Sequence, residues 1–324
     1  MDRHGIAVAG SILVDEINAV RRYPSCGELA PILARSRSVG GCVPNVAIDL
    51  KKLRPDLPVW ALGRIGDDSN GRFVKEQLQN QDVNVDFLVT DPEEATSFTQ
   101  VISVIGGQRT FFTYPGASSR FARTDVPLRR LQPRLLHLGY FLLMERMDAG
   151  DGLALLTEAS AQGIETSIDM ISERSDRYSA VLPCLPLTDY LIINEFEAGQ
   201  LTGLEPTPGN LKRIATTLRS LGVRKKVILH FSAGAVCLSD DGFTQCASYQ
   251  LPDGFIQGTT GAGDAFCAGA LIGIYNNASD SALLSIATTA ATAALRTPDA
   301  TGGLDALPTL QRQFENLERT SLCL

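Results

Sequence analysis

The chain has 324 residues, of which 44% are hydrophobic and 20% charged, a globular composition that excludes disorder, collagen and coiled coil. Its 29 Lys and Arg against 36 Asp and Glu give a formal net charge of −7, which disfavours nucleic acid as a partner. Seven widely spaced cysteines with no C-x-x-C pair favour neither a disulfide framework nor a zinc site, and they indicate a reducing compartment.

No segment of the sequence is predicted to enter a membrane. The first apolar run ends in Asp15 and Glu16 rather than at a small-residue cleavage site, so it predicts a strand and not a signal peptide. The uncharged stretches 265–279 and 281–295 are rich in small and polar residues, and Asp280 separates them. We therefore expect a cytoplasmic protein with no membrane partner.

Short apolar runs alternate with helical patterns along most of the chain. The predicted strands are Ile6–Val14, Val59–Ile65, Leu135–Leu138, Thr166–Asp169, Tyr190–Ile193, Lys226–Leu229 and Ala235–Leu238. The predicted helices are a segment around 46–53 stopped by Pro55, one capped by Asp68 or Ser69, Leu153–Gln162 before Gly163, and Leu211–Leu221 before Gly222. This alternation predicts an α/β fold, with a mostly parallel sheet covered by helices on both faces.

Two regions interrupt the alternation with patterns typical of short antiparallel strands. They are residues 17–39 and the pair 98–104 and 109–114, which flanks Gly106 and Gly107 as a hairpin. Ribbons of this kind inserted into an α/β domain serve as lids, edge extensions or oligomer contacts. Ordinary edge strands without a function give the same pattern.

The most distinctive local motif is G-T-T-G-A-G-D-A-F, from Gly258 to Phe266, which leads into an apolar helix. Gly261 and Gly263 bear no side chains, so a ligand could approach the backbone amides, and the helix start would add its positive dipole. Asp264 beside such an anion pocket suggests a proton acceptor. A helix cap preceded by a tight turn is the alternative explanation.

Other nucleotide and hydrolase motifs are missing from the sequence. There is no G-x-x-x-x-G-K-[ST] segment, and a dinucleotide fingerprint at this turn would need glycine where Phe266 stands. No G-x-S-x-G segment is present, and of the three histidines His137 and His230 fall in or at the end of predicted buried strands, where core positions are expected.

Five segments together resemble the motifs of the PfkB-type, or ribokinase-like, carbohydrate kinases. Gly258–Asp264 resembles the second family signature D-T-x-G-A-G-D, and 40–45 resembles the turn G-G-x-x-x-N. Residues 10–15 resemble the first strand with its sugar-binding aspartate, 63–71 the pattern G-x-x-G-x-D-x-x-G, and 194–197 the motif N-x-x-E. The five segments occur in the family's order over residues 10–264.

The resemblance implies one ribokinase-like domain over 1–324, a doubly wound, mostly parallel sheet with a small β-lid formed by about 12–38 and 96–115. It implies ATP-dependent phosphorylation of a hydroxyl group on a sugar or sugar-like substrate, with Mg²⁺ and with dimerisation through the lid. A nucleoside kinase of the same fold and a carbohydrate-binding pseudokinase are the alternatives. A nicotinamide-dependent oxidoreductase is disfavoured by the absent fingerprint.

The resemblance also assigns roles to individual residues. Asp264 is expected to be the catalytic base, and the amides of Gly261, Ala262 and Gly263 to stabilise the transferring phosphoryl group. The residues expected to bind the sugar are Asp15, Gly40, Gly41 and Asn45. The residues expected at the nucleotide are Asn194, Ser232, Gly234, Thr259, Gly261 and Gly263, with Glu197 acting on Mg²⁺ through water.

Two departures from the family pattern affect these expectations. Gly258 replaces an aspartate that, in potassium-activated relatives, helps to hold a monovalent cation, which argues against cation activation here. Residues 230–235 occupy the place of the usual T-x-G-x-x-G nucleotide loop and keep one of its glycines, one position away. The sequence therefore predicts an altered nucleotide pocket.

Overall fold

The computed structural model describes residues 3–173 and 176–322. Its strands are β1 His4–Gly10, β2 Leu13–Val20, β3 Ile32–Gly40, β4 Val59–Leu62, β5 Arg64–Gly66, β6 Val89–Asp91, β7 Ser97–Val104, β8 Arg109–Tyr114, β9 Pro133–Phe141, β10 Glu165–Met170, β11 Tyr190–Asn194, β12 Lys226–Phe231, β13 Gly234–Ser239 and β14 Gly242–Ala247. Its helices are α1 Cys42–Leu53, α2 Ser69–Gln79, α3 Gly116–Ser119, α4 Leu128–Leu131, α5 Gly152–Ala161, α6 Glu195–Thr202, α7 Leu211–Ser220, α8 Ala262–Tyr275, α9 Asp280–Ala294 and α10 Leu307–Phe314.

Eight strands form the large sheet, in the order β4-β1-β9-β10-β11-β12-β13-β14. Neighbouring strands are parallel from β4 to β12, and β13 and β14 extend the sheet as antiparallel strands. Helices cover both faces, with α1, α2, α8, α9 and α10 on one side and α5, α6 and α7 on the other. The predicted α/β fold with a mostly parallel, doubly wound sheet is confirmed.

Alternation along the strands builds a separate apolar core on each face of the large sheet. In β1, Ile6 and Val8 contribute to the core under α1 and α8, whereas Ala7 and Ala9 contribute to the opposite core. Successive side chains of a strand point to opposite faces, so a strand buried on both sides must be apolar throughout. This accounts for the continuous apolar runs in the sequence.

The predicted first strand, Ile6–Val14, is wrong in its extent, because it comprises two strands of different sheets. β1 ends at Gly10, which has a φ of 154° and lies so close to β9 that a Cβ atom would stand 2.6 Å from the Gly139 carbonyl oxygen. The chain leaves the large sheet there and continues as β2, which pairs with β3 and β7. The apolar run continues because both sheets need apolar residues.

The predicted strand Val59–Ile65 is divided in the same way at Gly63. β4 lies at the edge of the large sheet, whereas β5 pairs in parallel with β6. A Cβ atom on Gly63 would stand 2.6 Å from Ile12 Cδ1, so only glycine lets the chain pass this side chain without a shift. The strand is therefore interrupted at Gly63 because of its packing against Ile12, a residue far away in the sequence.

The two interrupting regions form one four-stranded sheet, in the order β3-β2-β7-β8, which we call the small sheet. Both predicted antiparallel pairs are present, β2 with β3 and β7 with β8, and Gly106 has a φ of 70° in the predicted hairpin turn. The parallel pairing of β2 with β7, which joins the two hairpins, was not predicted. The chain enters the small sheet at β2, directly after the carboxyl end of β1.

Three helix boundaries agree with their sequence signals to within a residue or two. Asp68 caps α2 by accepting a 2.7 Å hydrogen bond from the Gly71 amide. Gly163 and Gly222 follow the ends of α5 and α7 with φ values of 66° and 117°. Among the described residues, every helix is too short or too polar to span a bilayer.

Candidate active site

The candidate site lies where the parallel strands of the large sheet end. The chain runs from β1 to the edge strand β4 and then returns to β9 on the other side of β1. At such a change of direction, the loops that follow neighbouring strands separate and leave a crevice. Tyr140, Asp169, Asn194 and His230 lie at the carboxyl ends of β9, β10, β11 and β12 and line one cavity there.

The glycine-rich motif places the amino end of α8 at this cavity. Gly261 precedes the helix with a φ of 79°, and a Cβ atom on it would collide with the backbone of Ala300. Glycine is therefore required at this position by both conformation and space. The Ala262 amide makes a long 3.4 Å bond to the Thr259 carbonyl oxygen, so Ala262 takes part in the turn itself. The first amides of a helix have no acceptor within it, which suits an anion.

Asp264 does not cap the helix, contrary to the alternative explanation of its sequence position. Its carboxylate accepts a 2.9 Å hydrogen bond from Asn45 Nδ2, and bonds of 2.9 and 3.0 Å from the Tyr140 hydroxyl. The side chain is 6% exposed. The glycine-rich motif and the G-G-x-x-x-N motif thus meet at this carboxylate.

The electrostatics of Asp264 suit a group that exchanges a proton near neutral pH. Burial raises its pKa from 3.8 to about 7, the neighbouring Asp169 carboxylate acts in the same direction, and the bonds from Asn45 and Tyr140 lower it. A general base is most effective when its pKa lies near the working pH. Asp264 combines this pKa with a position facing the cavity.

Tyr140 is held in an unusual conformation that aims its hydroxyl at Asp264. Its φ is 59°, which is uncommon for a residue other than glycine, and its amide donates a 2.6 Å hydrogen bond to Asp169 Oδ1. Burial raises the pKa of the Tyr140 hydroxyl well above 10, so this group stays protonated and acts as a donor. Strain of this kind is concentrated at functional sites.

The residues expected to bind the sugar lie next to one another. A Cβ atom on Gly40 would stand 2.6 Å from Asp15 Oδ2, and one on Gly41, which has a φ of 86°, would stand 2.7 Å from the Ser11 carbonyl oxygen. Asn45 lies in the first turns of α1, and its Oδ1 atom is buried without a hydrogen-bond partner among the described residues. Burial raises the pKa of Asp15 from 3.8 to about 6.

A second, larger cleft also adjoins the amino end of α8. It has a volume of about 860 Å³ and takes in Ser232, Gly234 and Thr259, together with Asn194 and Gly263. Ser232 belongs to the two-residue turn between β12 and β13, within the segment that the family resemblance matches to the usual nucleotide loop. Five of the six residues expected to bind the nucleotide therefore line one space large enough for it, whereas Gly261 lines the smaller cavity next to Asp264.

Asn194 and Glu197 form a capping box at the start of α6. The Asn194 side chain accepts a 2.9 Å bond from the Glu197 amide, and Glu197 Oε2 accepts a 3.0 Å bond from the Asn194 amide. Ser172 donates to Glu197 Oε1 at 2.8 Å. Burial raises the pKa of Glu197 from 4.5 to about 8. Both residues also line the smaller cavity, of about 270 Å³, that contains Asp264.

Comparison with known proteins identifies the family of the chain. The model of the pfkB family carbohydrate kinases matches residues 3–307. The chain belongs to the pfkB family of carbohydrate kinases. This pfkB kinase is 23% identical over 279 residues to a ribokinase of Staphylococcus aureus, covering 85% of the chain and 87% of the relative. It is 27% identical over 239 residues to a fructokinase of Vibrio alginolyticus, covering 72% and 75%.

The structure of Arabidopsis thaliana ribokinase complexed with ribose and ATP shares the fold, with a TM-score of 0.80 at 21% identity, covering 96% of this chain and 98% of that one. Membership of the family makes this protein a phosphotransferase with a hydroxyl acceptor, one that uses ATP to phosphorylate a sugar or sugar-like substrate. The predicted family and reaction class are confirmed.

Three residues of the cavity in this pfkB kinase were not among the site residues predicted from the sequence. Tyr140 and Asp169 belong to no recognised motif, and His230 lines both cavities instead of lying in the core. Burial lowers the pKa of His230 from 6.5 to about 4, so the ring is neutral at pH 7. All three lie at the carboxyl ends of strands that were predicted, and this placement rule could have identified them.

The packing of this pfkB kinase around position 258 leaves room only for glycine. A Cβ atom on Gly258 would stand 2.8 Å from Pro298 Cα and 2.9 Å from the Thr297 carbonyl oxygen. A larger side chain would therefore require the backbone at 297–298 to move.

A second buried carboxylate lies close to the site without forming hydrogen bonds. Asp49 of α1 is fully buried, and neither oxygen has a partner among the described residues. Burial raises its pKa well above 3.8, and repulsion from Asp264 adds to the effect. The nearby Lys52 instead donates a 2.7 Å bond to the Thr301 carbonyl oxygen.

We expect Asp49→Ala to stabilise the protein, by about 1–3 kcal/mol at pH 8, because the substitution removes an unsatisfied buried polar group. The folded-state pKa lies above the unfolded value, so wild type loses stability as pH rises above about 4, and the advantage of the variant shrinks toward pH 5. Urea unfolding at both pH values measures this, with the exposed Asp253→Ala as control. A variant that is less stable at pH 8 would refute the prediction.

Proposed function

We propose that Asp264 removes the proton from the substrate hydroxyl as this hydroxyl attacks the γ-phosphoryl group of ATP in line. The observation that supports the proposal most strongly is the contact of Asp264 with Asn45, at the amino end of α8. This contact joins the expected sugar site to the expected anion pocket at a single carboxylate. The adjoining cleft of about 860 Å³ accommodates the nucleotide.

The sugar is held by a set of groups that favours neutral hydroxyls. Asp15 accepts hydroxyl hydrogen bonds, Gly40 and Gly41 let the sugar lie against the backbone, and the free Oδ1 atom of Asn45 accepts one more. The amides of Gly261, Ala262 and Gly263 stabilise charge on the equatorial oxygens of the transferring group, helped by the dipole of α8. The Tyr140 hydroxyl keeps the Asp264 carboxylate oriented toward the cavity.

Magnesium fits the oxygen atoms that line the smaller cavity. Asn194 and Glu197 offer amide and carboxylate oxygens, which a hard divalent cation prefers. Glu197 would act through water, because protein donors already engage both of its oxygens. When bound with ATP, magnesium supplies positive charge that offsets the negative charge of the phosphates.

The small sheet serves as the lid of the site and as a dimer contact. Of the ten exposed large hydrophobic residues among those described, eight lie in residues 23–33 and 105–114, on or beside this sheet, including Phe111 and Phe112. Apolar surface concentrated in this way favours association of two copies. Sedimentation of wild type and Phe112→Glu tests the dimer. A cytoplasmic location agrees with the six unpaired cysteines of the described chain.

A panel assay of acceptor-dependent ADP release tests the proposed function and identifies the substrate. The panel contains pentoses, hexoses, keto-deoxy acids, sugar phosphates and nucleosides. We expect release above the no-acceptor background with one class of sugar. Release with nucleosides alone would make the protein a nucleoside kinase, and silence across the panel would favour a carbohydrate-binding pseudokinase.

We expect potassium to have little effect on activity. Without a carboxylate at position 258, backbone carbonyl dipoles alone would have to hold a monovalent cation at the usual place. The rate should therefore change less than about threefold, under about 0.7 kcal/mol of barrier, when potassium replaces a bulky organic cation. Ionic strength must be equal in the two buffers, because screening alone alters ATP binding. Strong, saturable activation by potassium would contradict this prediction.

A further inference from the structure

Four metal-binding side chains meet directly behind Asp264, although the sequence gives no sign of a metal site. Three of them, Cys42 at the start of α1, His137 in β9 and Asp169 in β10, have ligand atoms close to one another, and the fourth, Cys267 in α8, contacts His137. Each is buried, and Asp169, at 7% exposed, is the most accessible of them. The four residues are far apart in the sequence, so spacing rules for metal sites could not detect them.

Two of the separations among these side chains match those around one tetrahedral ion. His137 Nε2 lies 3.5 Å from Asp169 Oδ2 and 3.5 Å from Cys267 Sγ. Ligand atoms bonded at about 2.0–2.3 Å to a tetrahedral ion lie roughly 3.3–3.8 Å apart. The ligand atoms of Cys42, His137 and Asp169 all lie within 4.8 Å of one another, so binding of one ion would draw Cys42 closer to the other ligands. A nitrogen–oxygen distance of 3.5 Å is long for a hydrogen bond.

The orientation of His137 also suits a ligand. Its other ring nitrogen, Nδ1, lies 3.2 Å from Ser167 Oγ. When the Nδ1 proton is donated to this hydroxyl, the Nε2 lone pair is directed at Asp169 Oδ2 and Cys267 Sγ, each 3.5 Å away. Metal-binding histidines are commonly fixed by a partner on the second nitrogen in this way.

We infer that Cys42, His137, Asp169 and Cys267 bind one Zn²⁺ ion, or a similar thiolate-preferring divalent cation. Two sulfur atoms and one imidazole select zinc over magnesium, which prefers oxygen. Each thiol that becomes a ligand loses its proton to solvent. Four protein ligands leave no open coordination position, so the site is structural and distinct from the proposed magnesium site at Glu197.

Binding of the ion is expected to fix the relative positions of the elements that build the active site. The ion would tie α1, β9, β10 and α8 together at the point where Asp169 also holds the Tyr140 amide and Tyr140 contacts Asp264. Asp169 and Cys267 line the cavity of about 270 Å³, which gives the ion a route from solvent.

Metal content and the cobalt spectrum test this inference on the full-length protein. After loading with ZnCl₂ and exhaustive dialysis, we expect about one zinc per chain, and a melting temperature several degrees above that of EDTA-treated protein. Protein loaded with Co²⁺ should show thiolate charge-transfer absorption in the near ultraviolet and intense visible bands of a tetrahedral site. Excess Mg²⁺ should not displace either metal.

Two isosteric variants and two matched controls assign the metal to this cluster. Cys42→Ser and Cys267→Ser should each lose the thermal shift and weaken the thiolate band, whereas Cys184→Ser and Cys237→Ser, at buried thiols outside the cluster, should keep both. Circular dichroism confirms that each variant is folded, and the wild-type cobalt spectrum tests the site independently of any variant. Absence of the thiolate band, or equal zinc binding by folded Cys42→Ser and Cys267→Ser, would overturn the inference.

Discussion

Replacing Asp264 with asparagine should lower kcat by roughly 10²–10⁴, about 3–5 kcal/mol of activation barrier, while nucleotide affinity changes little. The substitution keeps the size of the side chain and its contacts with Asn45 and Tyr140. It removes the ability of the side chain to accept the proton of the attacking hydroxyl, because an amide is not a base near neutral pH. Steady-state kinetics with the best acceptor from the panel, together with calorimetric titration of ATP, measures both quantities.

Asp67→Asn is the matched control for this experiment. Asp67 is an exposed acid outside the candidate site, and its Oδ1 atom lies 3.7 Å from Arg72 Nη1 at the surface. We expect the control to retain wild-type kinetics. An Asp264→Asn variant within a few-fold of wild type would show that Asp264 is not the base, and the proton would then have to pass to another group.

The second large effect is expected in the sugar site. Asp15→Ala should raise KM for the sugar by roughly 10- to 150-fold, since losing a charged acceptor to hydroxyl groups costs about 1.5–3 kcal/mol. ATP affinity should stay unchanged. The control is Glu16→Ala at the neighbouring residue, because Glu16 accepts a 3.1 Å bond from Arg35 and does not belong to the proposed sugar site. Equal losses of sugar and ATP affinity in Asp15→Ala would mean that Asp15 supports the fold.

Sequence patterns were sufficient where a signal is local. The cap at Asp68 and the hairpin turn at Gly106 depend on a few consecutive residues, and both are present. Strand limits depend on distant neighbours. Strands end at Gly10, which packs against Gly139, and at Gly63, which packs against Ile12. A local sequence pattern gives no information on these distant contacts.

The same distinction applies to the site. Asp264 and Asn45 are identifiable because each belongs to a short motif, and the structure brings the two motifs into contact. Tyr140 and Asp169 become partners only through the alignment of β9 with β10. Asp49 lies on a helix in which ten of twelve residues are buried, so periodicity gave no reason to single it out.

The central claim is that this site transfers phosphate from ATP to a substrate hydroxyl with Asp264 as the base. Phosphorus NMR of reactions containing ATP, Mg²⁺ and the active acceptor, run in parallel with wild type and Asp264→Asn, tests it most directly. We expect a new phosphomonoester that forms in equal amount with ADP in wild type, and at least 100 times more slowly in the variant. Equal ester formation by both proteins, or release of inorganic phosphate without an ester, would contradict it.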